Sequence, residues 1–246
     1  MTMNLNKLLL TKNDCYKTGE KITVKGIMVH STGANNPWLK RYLPDDGKIG
    51  KNQYGNHWNT ARPGGRKVCV HAFIGKLADG TVATYQTLPW NHRGWHAGGS
   101  ANNTHIGFEI CEDGLSDRTY FEKVYKEAVE LCAYLCKEYG LTEKNIICHS
   151  EGHKKGIASN HGDVMHWFPK HGKSMDTFRA DVKNLLSGAS VPQKVTELTT
   201  VNDIVWELAH RGIITDKQLW LKKLETDTNS YWLARKVVKY LREKGV

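Results

Sequence analysis

The chain has 246 residues, 39% hydrophobic and 24% charged, and its 35 Lys and Arg against 25 Asp and Glu give a formal net charge of +10. That composition excludes a disordered or fibrous chain and allows one domain of ordinary size plus a small second one. No apolar run approaches the ~20 residues that span a bilayer, and Leu8–Leu10 is too short for the core of a secretory signal. The expectation is therefore a protein made in the cytoplasm with neither a membrane span nor a Sec signal. The positive charge points to an anionic partner. Without a recognisable RNA-type or helix-turn-helix motif, nucleic acid ranks below an anionic envelope polymer.

In chain order, Val24–His30 (VKGIMVH) reads as a buried strand that Ser31-Thr32-Gly33 ends. Val68–Leu77 and Thr81–Thr87 read as a hairpin around Ala78-Asp79-Gly80, and His105–Cys111 (HIGFEIC) as another strand. Phe121, Val124, Ala128, Leu131 and Leu135 then recur at helical spacing, with Gly140 placed to end the helix. Lys144–Cys148 is a further short strand and Asp176–Leu186 a closing helix. This order predicts the α/β class, with a mixed sheet flanked by helices over residues 1–186.

Residues 187–200 have the small, polar composition of a linker. Residues 201–246 read as a small all-helical module, with helices over Val201–Gly212 and Tyr231–Lys244 and a short one over Gln218–Leu224 between them. Ile204, Trp206, Leu208 and Ile213 are expected to form the apolar face of the first helix. Trp232, Val237, Tyr240 and Leu241 are expected to form that of the last. Trp206, Trp220 and Trp232 are expected to supply much of the core, because so short a chain stands alone only with very good packing.

The six cysteines, Cys15, Cys69, Cys111, Cys132, Cys136 and Cys148, lie far apart in a chain too large to need staples. They read as buried reduced thiols. Cys132 and Cys136 fit a metal pair only if two further ligands come near.

Residues 147–172 hold five histidines and one aspartate without a hydrophobic period. A polar surface loop is one reading, and a loop carrying chemistry is the other. A catalytic zinc needs three N, O or S ligands and one open position. His30 and His149 stand at predicted strand ends, where the sheet holds the backbone, and Asp163 and His161 are candidates for a third ligand. Glu109 stands mid-strand, as a solvent-facing residue on an edge strand or, if its face borders a metal cleft, as a general base. Asn91, Trp95 and His96 belong to the glycine-rich stretch NHRGWHAGG at 91–99, which is either a close-approach surface for a polymer or a turn.

Five motifs in order, MVHST at 28–32, HAFIGKLADGTV at 71–82, RGWHAGG at 93–99, HIGFEICE at 105–112 and HGDVMHWF at 161–168, resemble the zinc-dependent N-acetylmuramoyl-L-alanine amidases of the type 2 amidase and peptidoglycan-recognition superfamily. The resemblance runs from about residue 22 to 183 and is greatest to phage or prophage endolysins and autolysins of clostridium-like Gram-positive bacteria. It implies a mixed sheet with a zinc cleft along one face. It also implies hydrolysis of the amide between N-acetylmuramic acid and L-alanine of the peptidoglycan stem peptide. Carried onto this sequence, it makes His30 the first Zn2+ ligand, Asp163 the third, and Glu109 the general base.

His149 is the preferred second ligand because a strand end positions a ligand well. His153, ten residues before Asp163, is the alternative. His161 replaces the family's lysine and is assigned to stabilise the oxyanion, and Val164-Met165 replaces the family's Pro-Gly. His153 and His166 read as groups that support the ligands or face the substrate, and His171 as plain surface. Trp95, His96 and Asn91 are assigned to the substrate groove. The resemblance also implies wall attachment by the C-terminal module, which a tail packing on the catalytic part or mediating self-association fits equally, and holin-dependent release if the protein is phage-derived. The competing readings are a non-catalytic peptidoglycan-binding module, a zinc peptidase cutting within the stem peptide, and, on charge alone, a nucleic-acid binder.

Overall fold

In the computed structural model, which describes residues 3–187, 201–211 and 213–244, the sheet has six strands. They are β1 (Leu5–Lys7), β2 (Gly26–Ser31), β3 (Ala72–Lys76), β4 (Val82–Gln86), β5 (His105–Ile110) and β6 (Ile146–Cys148), in the order β1-β4-β3-β5-β2-β6. Only β3 and β4 pair antiparallel, as the tight turn between them requires, and β3, β5, β2 and β6 run parallel. The helices of this part are α1 (Asp14–Thr18), α2 (Arg118–Tyr139), α3 (His149–Lys154) and α4 (Met175–Leu186). The expected mixed sheet flanked by helices is observed.

Side-chain alternation along β2 and β5 sets the two faces. Ile27 and Val29 with Ile106, Phe108 and Ile110 enter the main core, which the apolar face of α2 and Phe178 and Val182 of α4 complete. Gly26, Met28 and His30 point the other way, as do their register partners His105, Gly107 and Glu109. Met28 there packs with Ala97, Ala101 and Ile147 in a small separate cluster. A third cluster, built on Phe73 and Tyr85 with Leu39, Tyr42 and Leu43, fills the space beside the hairpin. The ends of α2 are chemically specified. Asp117 accepts the Tyr120 N–H at its start, and Gly140, at φ 61°, closes it.

Three elements depart from the sequence expectation. Leu5–Lys7 is a strand although it shows no apolar alternation; it is recruited by parallel pairing along β4. Asp14–Thr18 is helical, with Asn13 capping it. His149–Lys154, expected as loop, continues directly from β6 as α3. All six cysteines are buried and free, and Cys132 and Cys136 sit in the core side of α2 without further ligands among the described residues.

The chain divides into two compact units, Met1–Ala189 and Ser190–Val246. Most of the expected linker, residues 188–200, lies outside the described residues, as do Gly212 and the side chain of Trp206. Among its described residues the second unit has three helices, α5 (Val201–His210), α6 (Lys217–Thr226) and α7 (Thr228–Lys244). Its core is Ile204, Val205, Leu208, Ile214, Leu224, Ala234 and Val238. The expected apolar face of the last helix is corrected. Ala234 and Val238 turn inward with Tyr231, whereas Trp232, Val237 and Tyr240 are exposed. At 100° per residue Trp232 lies on the opposite side of the helix from Ala234. Ile213 is likewise exposed while its neighbour Ile214 is buried. No described helix is long and apolar enough to cross a membrane.

Candidate metal centre

Parallel pairing brings the carboxyl ends of β2, β5 and β6 together, and chemistry in open α/β sheets gathers at such ends. The register sets His30 beside Glu109, and Val29 beside Cys148. His149, the next residue after β6, is therefore delivered to the side of His30. Asp163 arrives from a 3-10 turn, Asp163–His166.

His30 Nδ1, His149 Nδ1 and Asp163 Oδ2 converge. The two nitrogens are 3.1 Å apart, and the carboxylate oxygen lies 3.3 Å from His30 and 2.9 Å from His149. Among the described residues this is the only group of three or more His, Cys, Asp and Glu side chains placed to hold a metal ion. Corners of a tetrahedron with ligand distances of ~2.0–2.1 Å lie roughly 3.3 Å apart, so the spacing suits zinc. His153 is not part of the group. Its Nδ1 lies 3.4 Å from the Ala158 carbonyl, on the exposed side of α3.

The outer hydrogen bonds decide which ring nitrogens face the centre. His96 Nε2 lies 3.1 Å from the His105 carbonyl, which can only accept, so His96 carries its proton there and Nδ1 is a lone pair. That lone pair takes the N–H of His30 Nε2, 3.0 Å away. His30 Nδ1 is thus left unprotonated. On the other side, Ser159 donates its hydroxyl proton to the Ala97 carbonyl at 3.3 Å and accepts from His149 Nε2 at 3.1 Å. His149 Nδ1 is left unprotonated in the same way. Two lone pairs and a carboxylate oxygen therefore face one another with no donor among them, and a cation is the group that satisfies all three.

The electrostatics agree. Burial pulls His30 below its ordinary value, with Asp163 offsetting part of the effect, and His96 is held well below by burial and by His30 and His71. Burial opposes ionisation of Asp163, but the closeness of His149 and His30 outweighs it and holds the carboxyl far below the usual range. Asp163 also has φ 42°, a left-handed conformation that a residue other than glycine keeps only when its surroundings hold it.

Glu109 stands beside this group with its Oε2 buried and unpartnered. Burial pushes its carboxyl well above the ordinary value, and Asp163 and Glu112 add like charge. The reading of Glu109 as a solvent-facing residue on an edge strand is corrected: β5 is paired on both sides, and the face it presents is the centre.

The remaining expected site residues are distributed unevenly. His161 lies against the His149 ring, 4.7 Å between centroids, and both border a cleft of about 1010 Å3 with His30, Glu109 and Asp163. Trp95 borders it too. His96 reaches the cleft, but both of its ring nitrogens are committed to protein, so it backs His30 instead of serving as a free contact for substrate. Asn91 does not line the cleft; its carbonyl accepts from Ile22 and its side chain from Lys21. His166 borders the cleft and pairs with Glu112 at 3.0 Å, tying the Asp163 turn to the tip of β5. His171, expected as plain surface, stacks on Phe121 at 4.1 Å.

Sequence reasoning missed Ser159 and the buried His71. His71 accepts from the Gly107 N–H at 3.0 Å and donates to the His92 carbonyl at 2.8 Å, holding the strand on which His96 rests. Gly107 is the one available signal. A Cβ there would run into the His96 ring, so a glycine inside an apolar strand marks the close approach of that ring.

Comparisons with known proteins bear on the family and the fold. The chain is 41% identical over 104 residues to the N-acetylmuramoyl-L-alanine amidase XlyA of Bacillus subtilis (strain 168), a match covering 37% of this chain and 34% of that protein. It is 30% identical over 130 residues to a probable N-acetylmuramoyl-L-alanine amidase of Bacillus licheniformis, covering 52% and 32%. The chain thus spans about a third of the length of these curated relatives. In fold it is similar to PlyL, with TM-score 0.51, 21% identity and coverage of 74% of this chain and 98% of that one. It is likewise similar to the catalytic domain of XlyA, with TM-score 0.51, 23% identity and coverage of 73% and 99%. The model of the Amidase_2 family, N-acetylmuramoyl-L-alanine amidase, matches residues 20–166, a stretch that contains His30, Glu109, His149 and Asp163, and the chain belongs to that family.

Proposed function

We propose that this chain is a zinc-dependent peptidoglycan hydrolase that cleaves the amide between the lactyl group of N-acetylmuramic acid and L-alanine of the stem peptide. The observation that carries the reading is the convergence of His30 Nδ1, His149 Nδ1 and Asp163 Oδ2 beside the unpartnered carboxylate of Glu109. These three residues would hold Zn2+, which when bound supplies Lewis-acid polarisation of a carbonyl and activation of water near neutral pH. Glu109 takes a proton from the attacking water and passes it to the amine of L-alanine as the C–N bond breaks. A carboxyl held above its ordinary value by burial is suited to return that proton. His161, at the mouth of the same cleft, donates to the developing oxyanion. Trp95 offers an indole to the glycan or peptide.

The second unit is assigned to wall attachment through anionic polymers. Its support is α7, which carries five Lys and Arg against one Glu and leaves Trp232, Val237 and Tyr240 exposed. The site of action is the cell wall.

Zinc content and digestion products of purified peptidoglycan test the reading. About one zinc per chain and a new amino terminus at L-alanine, with muramic acid intact, are expected. A new amino terminus elsewhere in the peptide makes the chain a peptidase. Wall binding without any new terminus makes it a binding module.

A further inference from the structure

The cleft is chemically divided. Among the described residues its only carboxylates, Glu109 and Asp163, belong to the metal end, and the other charged residues on its wall, histidines aside, are Arg41, Arg66 and Lys67. Among the described residues, none of the three forms a salt bridge. By contrast the nearby Arg62 and Arg93, which do not line the cleft, are paired with Asp14 and Glu20.

The cations are held by devices that leave their charge unspent. Arg41 donates to the Asn56 carbonyl at 2.9 Å and lies over the Tyr42 ring at 5.4 Å. The Lys67 ammonium lies over the indole of Trp95 at 5.2 Å, and the guanidinium of Arg93 lies over the same ring at 4.7 Å. That contact follows from the backbone, because Cys69 and Trp95 exchange hydrogen bonds of 3.2 and 2.9 Å that join the two segments. Arg66 follows the tight turn Pro63–Gly65, whose glycines have φ 58° and 77°, and is exposed at the rim. Three cations that border one cleft without a carboxylate partner make its potential positive and favour an anionic ligand there.

We propose that Arg41, Arg66 and Lys67 form an anion subsite that takes a free carboxylate of the stem peptide. This deepens the amidase reading and rests on it. The cations select stem peptides that carry a free carboxylate over peptides in which that group is a carboxamide. A carboxamide offers no charge and presents an N–H2 to a wall made of donors.

The test uses the zinc-loaded full chain and two muramoyl peptides that differ only in that carboxylate or carboxamide. A kcat/KM preference for the acid on the order of ten- to a hundred-fold is expected, the range of charge-assisted hydrogen bonds. The double variant Arg66→Gln, Lys67→Gln, with zinc content unchanged, should lower the preference to about one while still cleaving the carboxamide peptide. Equal cleavage of both peptides by the wild type overturns the subsite and leaves the amidase reading intact. Cleavage of neither overturns the amidase reading. The subsite is then decided by calorimetric binding of the same two peptides to Glu109→Gln protein. Tighter binding of the acid supports it, and equal binding sinks it.

Discussion

The Nε2 of His30 lies 3.0 Å from the Nδ1 of His96, and the far nitrogen of His96 lies 3.1 Å from the His105 carbonyl. The backbone carbonyl of His105, at the start of the strand that carries Glu109, thus sets which nitrogen His30 offers to the centre. Removing the relay frees the ring to rotate and to carry its proton on the wrong side. His96→Ala is expected to weaken zinc binding by roughly 10–100-fold, the usual effect of losing a group that orients a ligand. Gln at 96 has both an acceptor and a donor and should recover part of the loss. Competition with a chromophoric chelator reads the affinity directly, and unchanged affinity in His96→Ala refutes the relay.

Gly107 lies under that ring. Gly107→Ala puts a Cβ into the His96 imidazole and must displace it or β5. Expected are a loss of stability on the order of 1–3 kcal/mol, typical of overpacking, and weakened zinc binding in the same protein. Gly114→Ala, whose Cβ would meet nothing closer than 3.6 Å, is the control. Urea denaturation and zinc titration of the two variants side by side make the comparison.

Glu109 is expected to separate chemistry from metal binding. Glu109→Gln keeps the shape of the side chain and leaves His30, His149 and Asp163 in place. It should retain about one zinc and lose on the order of 10²–10⁴ in kcat, the range for a general base. Asp163→Ala should lose the zinc itself, and zinc analysis beside a turnover assay distinguishes the two. Loss of zinc from Glu109→Gln would falsify the separation.

His71 gives a pH prediction whose sign follows from its burial. Burial lowers its pKa from 6.5 to about 4, although its bond to the His92 carbonyl raises it in part. The folded state then binds fewer protons than the unfolded chain between those two values. Stability from His71 is complete above pH 6.5 and is lost as pH falls toward 4, by on the order of 3 kcal/mol in all. Nitrogen-15 spectra of the imidazole should show a neutral ring with its proton on Nε2 down to about pH 4. Titration near 6.5 would contradict the assignment.

Zinc removal should act on stability as well as activity. Two imidazole lone pairs and a carboxylate face one another at 2.9–3.3 Å, and Asp163 keeps a left-handed backbone at their meeting point. A metal that binds only the folded state adds roughly 4 kcal/mol at a free concentration 1,000 times its Kd. Chelation should therefore lower Tm by several degrees and zinc should restore it, as scanning calorimetry reads. An unchanged Tm would show that the three ligands are at rest without a cation.

Much of this molecule is legible in one dimension. The strands at Val24–His30 and His105–Cys111, the long helix through Phe121 and Leu135 and its stop at Gly140 follow from local periodicity and backbone chemistry, and the strands and helix lie close to where those signals put them. Strand register even makes His30 and Glu109 neighbours once the two strands pair in parallel. What the residues could not declare is which parts of the chain meet.

His149 and His153 belong to one short helix and have the same chemistry, yet one is buried at the centre and the other exposed. The strand end already favours His149 in the sequence, and the path of β6 beside β2 is what carries it to His30. His96 looked like a substrate contact because its neighbours are glycines; its commitment to His30 and the His105 carbonyl exists only after β2 and β5 are laid side by side. The short strand Leu5–Lys7 is created by β4, and the inward face of α7 by α5 and α6. Local sequence determines the conformations that cost least over a few residues. Partners, tautomers and the metal-facing nitrogens depend on contacts between residues as far apart as His30 and Asp163, and those are decided when the sheet assembles.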